Sequence, residues 1–244
     1  MPVTTTTTFR LERVERVRRR AGKACRLKPE GPQGWTKSQA DPMKLLSVFP
    51  SLRLKQGLVL RAYQFREGGN GNGIVWAMPE ASAFPEPDEC DRLQDRFLGP
   101  PRPAEALDDV MEGLEGDGSR WSYLSASLFE REVADFGAMW HGIDWGTHVI
   151  LGDDPWSLSR LLSPGSPFEG PSGGREDWEW LEPKPSRWEP EVWSGADAVV
   201  VTLHTYSGLG REVIYRHTDT YMPGRYHFRS DRKALAEGPG GFVF

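Results

Sequence analysis

With 244 residues, 38% hydrophobic and 27% charged, the chain is long enough for a sizeable core, and its composition is that of a globular protein rather than a disordered one. The net charge of −5 lacks the basic surface of a duplex-binding domain, so nucleic acid is not expected as a partner. Cys25 and Cys90 alone provide neither a disulfide framework nor a cysteine-based zinc pattern, and no apolar run approaches the roughly 18 residues of a membrane span, so no membrane association is expected.

In chain order, the opening "MPVTTTTTFRLERVERVRRR" combines threonines with a basic run: nine Arg or Lys lie between Arg10 and Lys28, against Glu12 and Glu15. A Thr/Arg bias is typical of organelle targeting peptides, but the two glutamates argue against that reading. Residues 1–40 read as a basic N-terminal tail or peripheral helix. Leu11, Val14 and Val17 form only a thin apolar stripe over Phe9–Cys25, which predicts a dispensable segment. Residues 41–244 read as one α+β domain, and the cytoplasm is the expected location.

"LVLRAYQFREGGNGNGIVWAM" predicts a hairpin, with strands at Leu58–Arg66 and Gly73–Met78. Pairing Arg66 with Gly73 sets Tyr63 against Trp76 and Phe65 against Ile74. The "GGNGNG" between them lacks a following helix and a Gly-Lys-Ser/Thr, so it reads as a turn rather than a phosphate loop. Gly71 is the candidate for a positive φ. Two helices are predicted next. One, "DECDRLQDRFL", carries Cys90, Leu93 and Phe97; the other, "PAEALDDVMEGL", carries Leu107, Val110, Met111 and Leu114. A third helix runs from Ser119 to about Phe136, its stripe continuing to Trp140.

"MWHGIDWGTHVIL" then joins that helix to a strand beginning at His148. From about 152 to 193 the chain is an acidic loop rich in Trp, Pro and Gly. Seven of the ten tryptophans lie between Trp140 and Trp193, so this loop is predicted to pack or to touch a partner. "GPSGG" (Gly170–Gly174) matches a nucleophile elbow in letters but lacks the strand and helix around Ser172. "DAVVVTLHTYSGLGREVIYRHTD" predicts a second hairpin with Ser207–Gly210 as its loop, and Arg225–Arg229 a further strand. The whole reads as a mainly antiparallel sheet from two hairpins and further strands, packed against a block of two or three helices.

One constellation survives these tests. Pairing Tyr206 with Arg211 places His204, His217, Tyr206 and Tyr215 on one face of the second hairpin. Arg225, His227 and Arg229 share a face of the next strand, and His148 joins if its strand enters the same sheet. Arginines beside histidines suit an anionic ligand, with Arg225, His227, Arg229, Tyr206 and Tyr215 as its contacts. His204, His217 and His148 are the candidate catalytic groups. His148, His204, His217 and Asp144, or Asp219, are the candidate ligands for a divalent metal, although no metal signature is matched and no cofactor is expected. The leading expectation is therefore a binding protein for a partner protein or a small anionic ligand. The alternative is a small hydrolase or lyase working from the histidine/arginine face.

Overall fold

A computed structural model describes residues 4–25, 30–157 and 170–243. In chain order the elements are β1 (Thr5–Thr8), α1 (Leu11–Cys25), β2 (Gly34–Lys37), α2 (Pro42–Leu46), β3 (Leu52–Leu54), β4 (Leu58–Glu67) and β5 (Asn70–Pro79). The short β6 (Asp91–Arg92) and β7 (Pro101–Arg102) follow, then β8 (Leu114–Gly116), α3 (Arg120–Ala134) and β9 (His148–Ile150). The last strands are β10 (Glu179–Trp180), β11 (Glu191–Ser194), β12 (Val199–Ser207), β13 (Val213–Tyr221) and β14 (Phe228–Glu237). All pairing between these strands is antiparallel, so the class is α+β. No helix among the described residues is long and apolar enough to cross a membrane.

The chain divides into two compact units. One comprises Met1–Arg16, Thr147–Pro223 and Phe228–Phe244; the other comprises Val17–Gly146 and Gly224–His227. The first holds a seven-stranded sheet in the order β1-β11-β12-β13-β14-β10, with β9 also paired to β12. The tryptophan-rich segment packs against this sheet. Trp178 and Trp188 are buried with Leu151, Tyr206, Ile214 and Leu235, and Trp156 and Trp180 rest on the same cluster. Large aromatics thus supply the burial that holds a segment of little regular structure.

The second unit is built on the sheet β2-β4-β5. The first hairpin forms with a register two residues tighter than the sequence suggests: Arg66 faces Gly71 and Tyr63 faces Ile74. The turn is only Gly68-Gly69, with φ of 56° and 89°, and the following "NGNG" lies in β5. Positive φ at both central residues is the type I′ requirement, which glycine meets without strain. Gly71 has no positive φ. It is small because Met139 packs where a side chain would stand.

Two further expectations are corrected. The helices predicted over Cys90–Phe97 and Leu107–Leu114 do not form; only 3-10 turns appear, at Pro87–Glu89 and Val110–Gly113. The backbone there is hydrogen-bonded across the unit instead of along a helix. The Trp35 and Trp76 indoles donate to the carbonyls of Leu98 and Pro101, and the Leu107 N–H donates to Ala77. Trp140 does not complete the stripe of α3: Ser119 caps that helix, Gly137 (φ 74°) follows its end, and Trp140 is 61% exposed. The N-terminal segment takes part in the fold: β1 pairs with β11, and Val14, Ala21 and Cys25 are buried. In the second unit, Arg18 of α1 stacks 4.3 Å from the Trp145 ring and donates to Glu132 at 3.2 Å. A thin apolar stripe suffices because an arginine supplies part of the interface.

Candidate functional site

The loop of the second hairpin spans 208–212, longer than predicted, because its residues pair with the C-terminal segment. Gly210 and Glu212 donate backbone N–H groups to Phe242 and Gly240. The Glu212 carboxylate is buried and accepts from the Tyr206 hydroxyl and the Ser172 and Gly240 N–H groups. The observed register pairs Leu203 with His217, His204 with Arg216 and Thr205 with Tyr215. Because a strand alternates faces every residue, this odd shift places His204 and His217 on opposite faces. The predicted four-residue face of His204, His217, Tyr206 and Tyr215 therefore comes apart.

His204 and Tyr206 lie on the face covered by the tryptophan segment. The His204 ring sits 5.4 Å from that of Trp188, and burial lowers its pKa to about 4. Tyr206 donates to Glu212 at 2.7 Å, and burial, reinforced by that carboxylate, raises its phenol. On the other face, β9 brings His148 beside β12. The Thr205 hydroxyl bridges His148 Nδ1 at 2.9 Å and His217 Nε2 at 2.8 Å. A hydroxyl has one hydrogen, so Thr205 donates to one ring and accepts from the other, which ties the two tautomers together. The Tyr215 ring lies 5.5 Å from His148 and 6.2 Å from His217. His148, Thr205 and His217 are all buried, so this relay offers no face to a substrate. Asp219 is buried further along β13, accepting from Ser230.

The remaining predicted residues are dispersed. Strand β14 begins at Phe228, so Arg225 and His227 precede it, and the alternation that was to align them with Arg229 does not exist. His227 is exposed and faces Asp109 at 3.2 Å, while Arg229 is opposite Thr220. Asp144 is exposed, its backbone N–H donating to Asp135. Among the described residues no group of three or more His, Cys, Asp or Glu side chains is arranged to hold a metal ion. Ser172 lies in an irregular loop, and Cys25 is buried beside Glu132, where burial pushes its thiol well up. Cys90 lies off any α-helix, within 3.2 Å of the Tyr63 hydroxyl.

A different site lies in the second unit, which the sequence reading passed over. A cleft of about 500 Å³ is bordered by Asn72, Gly73, Ile74, Val75 and Trp76. Side chains of a strand alternate between faces, so five consecutive residues border one cleft only along the strand's edge. Trp35, Trp76 and Phe97 give it aromatic walls, and Val133 and Ala134 of α3 form the opposite side. Three carboxylates line it, Asp108, Asp109 and Glu130, against one guanidinium, Arg96.

The backbone of β5 decides what this edge offers. Gly71 exchanges both its N–H and C=O bonds with Met139, away from β4. Hydrogen-bonding direction alternates along a strand, so Gly73 and Val75 also face away from β4. Ala62, opposite Val75, agrees: its carbonyl accepts from Ser38 on the far side of β4. Asn72 Oδ1 takes the Gly73 N–H at 2.8 Å, and Leu107 takes the Ala77 carbonyl at 2.9 Å. Between them, Val75 is 5% exposed, and among the described residues nothing bonds its outward N–H or C=O. A backbone donor and acceptor side by side that no other part of the chain pairs make this stretch of β5 an open strand edge along the cleft. The sequence signal was modest: a glycine-alternating "NGNG" in a strand marks close backbone approach on one face.

Comparison with family models, with curated proteins and with solved structures finds no match to this chain.

Proposed function

We propose that the protein is an interaction protein that holds a segment of a partner protein in the cleft between β5 and α3. The observation that carries this reading is the unpaired backbone of Val75 at the floor of an aromatic-walled cleft. Aromatic walls around a few directed polar groups are the usual makeup of a binding site. The anionic-ligand part of the leading expectation and the enzyme alternative both drew on one shared histidine/arginine face, and that support falls away with the observed register. A net charge of −5 favours protein over nucleic acid as the partner. Cys25 and Cys90 are both free thiols, which suits a cytoplasmic setting.

Ala134 gives the test a site that does not disturb the core, since it is exposed at the end of α3 and lines the cleft. Folded protein applied to an immobilised peptide array should retain a distinct subset of peptides. Ala134→Trp, which fills the cleft, should lose them while keeping the wild-type unfolding midpoint. Retention unchanged by that substitution, or no peptide retained at all, would overturn the proposal.

A further inference from the structure

The free edge in this cleft is flanked on both sides by cross-edge bonds. The Met139 backbone pairs with Gly71 at one end, and the Leu107 N–H meets Ala77 at the other. The stretch between them, Asn72–Trp76 with the outward-facing backbone of Val75, is a gap in a strand position that the chain's own segments begin and end. A strand advances about 3.3 Å per residue, so the gap accommodates at most about five residues of extended chain. Small rigid ligands rarely present a backbone-like donor and acceptor at strand spacing, whereas any extended peptide does.

Resting on the reading of the cleft as a partner-binding site, we infer that its occupant is an extended peptide segment bearing a lysine or arginine. This segment adds as a short strand to the edge of β5. The residue opposite Val75 donates its N–H to the Val75 carbonyl and accepts the Val75 N–H, and the Gly73 carbonyl receives a further N–H. The charge of the lining selects the side chain. Asp108, Asp109 and Glu130 outnumber Arg96 around the cleft that Trp35 and Trp76 also line. Asp108 and Asp109 are themselves engaged, by Arg102 and His227 respectively, and Glu130 is not without a partner either. Both contacts are exposed and readily exchanged. Asn72 fits the same picture: its side chain closes the neighbouring Gly73 N–H, which restricts strand addition to a short segment.

The test uses the full chain and five-residue peptides of alternating valine and lysine, with glutamate replacing lysine in a matched set. Amide exchange and binding by calorimetry are followed together. In the free protein the Val75 amide exchanges faster than those of Ile74 and Trp76, which face β4; the lysine peptide slows it selectively. N-methylation of the peptide residue opposite Val75 weakens binding about tenfold, as expected for one lost backbone bond, and methylation of its neighbours does so far less. The glutamate peptide binds at least about tenfold more weakly than the lysine peptide. A lysine peptide that binds, is displaced by Ala134→Trp, yet leaves Val75 exchange unchanged would overturn strand addition while keeping the cleft as the docking site. Equal binding of the glutamate set would overturn the cationic preference. Failure of every peptide to bind would instead overturn the function proposed for the cleft.

Discussion

Burial beside Trp188 lowers the pKa of His204 to about 4, with the Arg216 charge adding to the effect and a contact to the Trp188 carbonyl opposing it. In the unfolded chain this histidine titrates near 6.5. Between those two values the unfolded state binds a proton that the folded state refuses, so stability is full above about pH 6.5 and falls as pH drops toward 4. The shift corresponds to about 3 kcal/mol over that window. Chemical denaturation from pH 7 to pH 4 should show this loss in the wild type, and His204→Leu should flatten the curve in that range. A parallel decline in both proteins would remove His204 as the cause. The same burial makes His204 a core residue, although its letter in the sequence invited a catalytic reading.

At the scale of elements, β5 owes its position to what its glycines lack. A Cβ at Gly73 would collide with the Phe136 carbonyl oxygen, whereas one at Gly71 would first meet the flexible end of Met139. Backbone cannot retreat as a methionine can, so Gly73→Ala should destabilise by about 2–3 kcal/mol and Gly71→Ala by less, both measured by urea unfolding. Equal losses would mean the α3 terminus yields as readily as a side chain. Both hairpins and α3 were legible in the sequence because their patterns are long and periodic. What escaped was register, which depends on turn length. The two-residue Gly68-Gly69 turn moved the first hairpin by an even step and kept its faces. The longer loop at 208–212 moved the second by an odd step and divided its histidines between two faces. The segment from Pro87 to Gly113 had helical spacing, but the indoles of Trp35 and Trp76 claim its carbonyls. That competition is decided by residues far away in sequence.

For the molecule as a whole, two constellations stand out: the buried His148–Thr205–His217 relay in the seven-stranded sheet, and the cleft along β5. The relay was half visible in the sequence, since His148 was to join His217 if its strand entered the same sheet, but Thr205 as their bridge required the register. The cleft was invisible to motif reasoning, because its key groups are the backbone N–H and C=O of Val75 and every residue has those. Its recognition chemistry belongs to strand geometry, a level at which residue letters are silent. An amide chemical-shift map of the isotopically labelled protein, titrated with a lysine-bearing extended peptide, compares the two places directly. Perturbations confined to Asn72–Trp76 and the end of α3, with His148, Thr205 and His217 unmoved, are the result this account predicts. Perturbations centred on those two histidines and Tyr215, with Val75 unaffected, would contradict it.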